Sequence, residues 1–253
     1  MAVKSMQVLY VGSDHVDKRR IIYGISEETM VDTVFLCFLI RTDDGNILVD
    51  AGVHPDDVEA LNAMGFNAKV RTEDHLPQRL KEVGLSMEDI NMVLITHLHF
   101  DHCGWAADLP NAELVIQKEE YHFAFNPPPY AAAGFYLERF KSPEIKWRIV
   151  EGDQVLMPGI TLLFTPGHTP GSQSVMVDLP KFGPVLLVGD AGILQENFEK
   201  ELLPTPFSCE PMQAWYSIRR LKVWSQIRKA PIFTTHDIDF WRQEMIKPPE
   251  AYI

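Results

Sequence analysis

"ITHLHFDHCGW" (residues 95–105) places His97, His99, Asp101 and His102 within six positions. The chain has nine histidines, so a third of them stand in this one stretch. It follows "INMVLIT" (residues 90–96), an apolar run of strand length, so the loop delivers its side chains to one rim of a sheet. In an extended chain the side chains at 97, 99 and 101 point one way, and His102 joins them only after a turn. Imidazole nitrogen with carboxylate oxygen at this density suits divalent metal: zinc first, with iron, manganese or cobalt open on ligand type alone. His97 and His99 suit a first ion, Asp101 and His102 a second.

Neither site is complete from one loop. Three later apolar runs each end in a further candidate ligand: His168 in "LLFTPGHTPGS", Asp190 in "LLVGDAG" and His236 in "IFTTHD". Singly, each would read as a packed histidine or a turn-capping aspartate. Together with HxHxDH upstream they read as a metal site. Asp50, ending the run "ILVDAG", either orients a ligand from behind or caps its own turn. Cys103 reads as structural, since both sites are already supplied.

The rest of the composition narrows the field. Thirty-five acidic against 23 basic residues give a net charge of −12, which argues against a nucleic-acid partner. The dense basic run "VDKRR" before Ile21 reads as a solvated loop. Three widely spaced cysteines form no CxxC pair and no disulfide framework, as in a reducing compartment. No stretch has the length of a membrane span, and "MAVKSMQVLYVG" lacks the signal-peptide pattern, so a cytoplasmic protein without membrane partner is expected.

Short runs rich in Val, Ile, Leu and Phe recur at residues 34–40, 47–52, 112–117, 159–165, 174–179, 184–190 and 231–237. Most are apolar on both faces, which predicts sheets covered on both sides. "RTDDGN" between the first two is a hairpin signal. "EDHLPQRLKEVG" reads as a helix capped by Gly84. In "CEPMQAWYSIRRLKVWSQIRK", Met212, Trp215, Ile218, Leu221, Trp224 and Ile227 recur at three-residue steps, predicting a helix face packed on a sheet. The prolines of "FNPPPYAAAGFYLERF" (residues 125–140) predict a surface loop that could line a site or an interface. Nothing suggests a linker, so a single domain over 1–253 is expected, with a loop and helical insertion around 118–147.

"HLHFDHCG" with "TPGHTPGSQS", "GDAG" and "THD" resembles the metallo-β-lactamase superfamily. Within it the chain is similar to the N-acyl homoserine lactone lactonases and the γ-butyrolactone lactonases. The resemblance takes in "FLIRTDDGNILVDAG", "LVIQKEEYHFAF", "ENFE" and the ending "THDIDFW…PPEAYI". It implies an α/β, four-layer αββα sandwich with a dinuclear site at one edge between the sheets. By motif, His97, His99 and His168 would hold one metal, Asp101, His102 and His236 the other, and Asp190 would bridge them. It also suggests a homodimer. One position departs from the pattern: where the lactonases carry a tyrosine three residues after the bridging aspartate, this chain has Ile193, which cannot donate a hydrogen bond.

The expected function is therefore hydrolysis of a small-molecule lactone by a hydroxide held between two metal ions, with Asp101 or Asp190 taking the proton. There is no GxSxG elbow and no HExxH helix to support another route. Phe100 and Trp105, with Phe125, Phe135 and Ile193, are candidates for the substrate wall. The alternatives are a metal-dependent hydrolase of another ester, thioester or organophosphate triester, and a non-catalytic metal-dependent sensor.

Overall fold

The computed structural model describes residues 2–205 and 208–253. Its strands are β1 (Val3–Asp17), β2 (Met30–Thr42), β3 (Asn46–Val49), β4 (Ile90–Leu94), β5 (Glu113–Gln117), β6 (Lys146–Val150), β7 (Gln154–Met157), β8 (Ile160–Phe164), β9 (Gln173–Leu179), β10 (Gly183–Leu187) and β11 (Ile232–Phe233). The helices are α1 (Val58–Ala63), α2 (Leu76–Glu82), α3 (Phe100–Cys103), α4 (Lys118–Phe125), α5 (Gln195–Lys200), α6 (Pro211–Arg228) and α7 (Ile238–Gln243).

Strands β1 to β6 form one sheet in sequence order, and the other runs β11-β10-β9-β8-β7. The first sheet changes character midway. β1, β2 and β3 are antiparallel, the β2–β3 turn falling at "DDG" as expected, while β3, β4, β5 and β6 are parallel. Parallel neighbours need crossover connections, and these carry the helices α1 to α4.

The layers follow from alternation along single strands. On β2, Leu36, Phe38 and Ile40 face the second sheet and pack with Ile160, Leu162, Val175, Val177 and Leu187. Their neighbours Phe35, Cys37 and Leu39 face the opposite way, onto Leu61, Leu76, Leu80 and Phe100 of the helices. On the far side, Leu163, Met176 and Leu186 meet Phe198, Ile218 and Leu221 of α5 and α6. A period of two thus sorts one apolar run into two cores, and the result is the αββα sandwich.

One element carries no sequence signal, and one expectation changes. β1, a 15-residue strand, gave no clean signal because polar Ser5, Gln7 and Ser13 interrupt it. The three-residue steps of α6 do not make one packed face. Each step turns about 300° round the axis, so the line drifts by about 60° per step. Ile218 and Leu221 are buried, while Met212 and Ile227 at its ends are 63% and 73% exposed. Among the described residues no helix is long and apolar enough to cross a membrane.

Candidate metal centre

The rim where strand ends of both sheets meet gathers seven side chains. The six-stranded sheet contributes His97, His99, Asp101 and His102, from the loop after β4 and the single turn of α3. That turn brings His102 round to the side of His97, as the spacing required. The five-stranded sheet contributes His168 after β8, Asp190 after β10 and His236 after β11. β11 is shorter than its apolar run suggested, because the chain leaves the sheet at Thr234 toward the site.

Three imidazole nitrogens converge on one point. His97 Nε2 and His99 Nδ1 are 3.1 Å apart, His168 Nε2 and His99 Nδ1 3.0 Å, and His168 Nε2 and His97 Nε2 3.2 Å. Protons cannot satisfy such a triangle, since each neutral ring has one acceptor nitrogen to offer. An ion can: nitrogens about 2.0–2.1 Å from a tetrahedral zinc stand about 3.3 Å from one another. A second group comprises Asp101, His102 and His236, with Asp101 Oδ2 3.7 Å from His102 Nε2 and 3.6 Å from His236 Nε2. Asp190 lies between the groups. Its Oδ2 is 3.3 Å from His168 Nε2, and its Oδ1 is 3.1 Å from His236 and 3.3 Å from His102.

The electrostatics of the two groups differ. Burial, with neighbouring imidazoles, holds His97 and His99 well below the usual histidine range, and burial takes His168 down to about 4. His102 and His236 are equally buried, yet Asp101, Asp50 and Asp190 lift the first, and Asp190 and Asp101 the second, above that range. Burial raises Asp101, whereas for Asp190 the same penalty is outweighed by His236 and His102, which hold it well below the carboxylate range. Metal ligation needs neutral imidazoles and ionised carboxylates, a state that favours the His97, His99 and His168 group, whereas His102 and His236 must give up protons to reach it.

Support from behind is equally specific. Asp50 accepts from Thr96 N at 2.7 Å and Thr96 Oγ1 at 2.9 Å, and lies 2.8 Å from His102 Nδ1. It therefore orients the candidate ligand His102, which fits the first of its two sequence readings. His236 Nδ1 lies 2.8 Å from the Val34 carbonyl. Fully buried Glu120 was missed by sequence reasoning, since "QKEEYH" looks like a solvated helix face. It accepts from Leu98 N (2.9 Å), Thr169 Oγ1 (2.5 Å) and Gly171 N (3.2 Å), tying the two ligand loops together. Gly171 is required there, because a Cβ would come within 2.0 Å of Glu120 N.

Above the cluster is a cavity of about 240 Å³, walled by Val16, Ile21, Phe35, Met64, Phe66, Phe100 and Ile193. Phe135 packs on the His99 ring at 4.7 Å, and neighbouring Gly134 sits so close that a Cβ would lie 2.6 Å from it. Bidentate pairing of Arg139 with Asp57, both bonds 2.7 Å, pins the far end of that segment. Trp105 is not on this wall, contrary to expectation. Its indole donates to the Val53 carbonyl and packs on His54, on the helix side of the sheet. Phe125 likewise turns to Tyr121 and Phe140. Cys103 is buried against the Leu98 carbonyl, a structural position.

Residues 36–227 match the metallo-beta-lactamase superfamily. The chain belongs to that superfamily. As a metallo-β-lactamase-superfamily hydrolase with this His/Asp cluster, it uses divalent metal. An N-acyl homoserine lactonase of Bacillus sp is 35% identical over 249 residues, 94% of this chain and 95% of its own length. AiiA, the N-acyl homoserine lactonase of Bacillus thuringiensis subsp. kurstaki, is 34% identical over 250 residues, with the same coverage. The solved structure of an N-acyl homoserine lactone hydrolase, with N-hexanoyl-L-homoserine at its catalytic metal centre, superposes with a TM-score of 0.89. It is 31% identical and the match covers 99% of this chain and 100% of the other.

Proposed function

We propose that the protein opens the ring of an N-acyl homoserine lactone or a related γ-lactone at a two-ion centre. His97, His99 and His168 would hold one ion, Asp101, His102 and His236 the other, and Asp190 would join them. The observation that carries this reading is the carboxylate of Asp190, with one oxygen turned to each histidine group at the base of an apolar cavity. The nitrogen-rich ligand set with carboxylate oxygens favours zinc. Similarity to lactonases over nearly the whole chain supports the lactone as substrate.

Bound divalent ions would supply an ionised water at neutral pH and polarise the ester carbonyl. The chain's own residues do the rest. Phe35, Phe66 and Phe100 surround the acyl part and exclude water. Asp101 Oδ2 faces the ion site, so Asp101 would take the proton for the leaving alkoxide through its other carboxylate oxygen. Ile193 adds packing and no hydrogen bond, so orientation of the ring does not depend on that position.

A panel of lactones, thioesters and phosphotriesters, assayed with metal-replete protein, tests the reading. Lactones should turn over with the highest kcat/KM. Turnover of a thioester or phosphotriester with every lactone untouched would overturn it.

A further inference from the structure

The cavity above the metal centre has one charged side chain in its wall, Asp14, that belongs to neither histidine group. Alternation along β1 and β2 sorts their side chains between two sides. Ser13, His15 and Asp32 line a groove along the sheet edge, whereas Val16, Thr33 and Phe35 line the cavity. Asp14 borders both spaces, and by the same alternation its side chain falls with the second set. The register pairs Asp14 with Thr33 and Gly12 with Phe35, so Asp14 and Phe35 are diagonal neighbours on one face. The Phe35 ring lies edge-on against His236 at 5.8 Å. Asp14 thus stands one side chain away from the candidate ligand His236.

Asp14 is 5% exposed, and no cation is within ion-pair distance of it among the described residues. Its Oδ1 accepts from the amides of His15 and Asn67, both at 2.7 Å. Its Oδ2 makes no hydrogen bond among the described residues. Arg20, on the same wall, is turned to other partners: it gives Nη1 to the Met64 and Gly65 carbonyls and lies over the Phe66 ring. Burial raises the Asp14 carboxyl, and the two amides work against that rise. An asparagine would accept both amides through its carbonyl oxygen without burying a charge. The fold therefore needs one oxygen at position 14, and the second is left for a donor on the ligand.

On the lactonase reading of the metal centre, we propose that Asp14 determines substrate specificity, its Oδ2 accepting the N–H of an acylamino group carried by the lactone. In an N-acyl homoserine lactone that N–H stands on the ring carbon next to the carbonyl, so a ring held at the ions presents it to the adjacent wall. Beyond Asp14 the wall is apolar at Val16, Ile21, Met64 and Phe66, which suits the acyl chain that follows. A lactone without the N–H buries Oδ2 with no donor and loses the desolvation cost of that oxygen from its binding.

The test compares ring opening of N-hexanoyl homoserine lactone with that of α-hexanoyloxy-γ-butyrolactone, in which an ester oxygen replaces the N–H. The metal-replete full chain should prefer the amide by about tenfold or more in kcat/KM. Asp14→Asn keeps an oxygen for His15 and Asn67 and puts an N–H group where Oδ2 stood. Its preference for the amide should fall about tenfold or more, with metal content and circular dichroism unchanged. Equal loss on both substrates would make Asp14 a structural residue and overturn the proposal. So would a wild-type chain that opens both with the same kcat/KM, a comparison that holds even if Asp14→Asn fails to fold. If the wild-type chain opens neither lactone, the lactonase reading itself fails and the role of Asp14 falls with it.

Discussion

The two histidine groups of the metal centre are close neighbours, yet they are built differently. His97, His99 and His168 are pushed toward the neutral state by burial, and the carboxylate that faces them among the described residues is the edge of Asp190. His102 and His236 stand among Asp50, Asp101 and Asp190, which hold protons on them against the same burial. One group is prepared as a set of free donors. The other must release protons to become one. Its histidines are also braced, His102 by Asp50 and His236 by Val34, whereas His168 Nδ1 has no hydrogen-bond partner among the described residues.

Removing what the groups share should have the largest effect. Asp190→Ala takes an oxygen from both, and the expected outcome is loss of the ion on the Asp101 side with activity down on the order of 10²–10³-fold, the fold remaining intact. Mass-spectrometric metal content with circular dichroism checks it. Two ions retained per chain would break the assignment.

Asp50→Asn should separate the groups. The amide presents a donor where the carboxylate accepted from His102 Nδ1, so the ring turns to the tautomer with its proton on Nε2, the atom facing the cluster. Affinity on the Asp101 side should fall roughly 10–100-fold, as outer partners of ligands generally contribute. The three-imidazole side should be unchanged. Chelator competition followed by metal analysis distinguishes the two.

Acid offers a third separation. The raised His102 and His236 compete with protons at a pH where the depressed His97, His99 and His168 are already free. As pH falls from 7.5 toward 5.5, the Asp101 side should empty first, its affinity dropping about tenfold per pH unit for each proton displaced. In the metal-free chain the sign for His168 is also fixed. Its folded value near 4 lies below the ordinary one, so its contribution is full above about 6.5 and is lost as pH falls toward 4. Equilibrium dialysis at stepped pH, and urea midpoints of the metal-free protein, measure the two effects.

The smallest effect is expected at Trp105. Because its ring packs on His54 away from the cavity, Trp105→Phe should leave kcat/KM within about twofold, while costing some stability for the lost bond to Val53.

The cluster of candidate ligands was legible because metal chemistry fixes residue type and strand ends fix position; HxHxDH and three terminated apolar runs pointed to the side chains that the fold gathers. The layering was legible for a similar reason, since β2 is apolar on both faces and demands cover on both. Other features depend on a third dimension that spacing does not carry. Glu120 is a buried clamp, yet Glu119 beside it is exposed, and nothing in "KEEY" separates them. Trp105 sits next to the metal loop in sequence, but the turn after Cys103 carries it to the other side of the sheet. In α6 the three-residue spacing of apolar residues suggests one packed face, but the angular drift of that spacing carries Met212 and Ile227 to the solvent side, opposite buried Ile218 and Leu221.

The seven candidate ligands come from both sheets, and neither histidine group is drawn from one sheet alone. His168 completes a group begun by His97 and His99, and His236 completes one begun by Asp101 and His102. Each ion would therefore act as a clasp across the seam of the sandwich, fastening at one rim what the apolar interior holds elsewhere. Stripping the metals should loosen that rim first, and the midpoint of thermal unfolding should rise with metal concentration, as for any ligand that binds only the closed form.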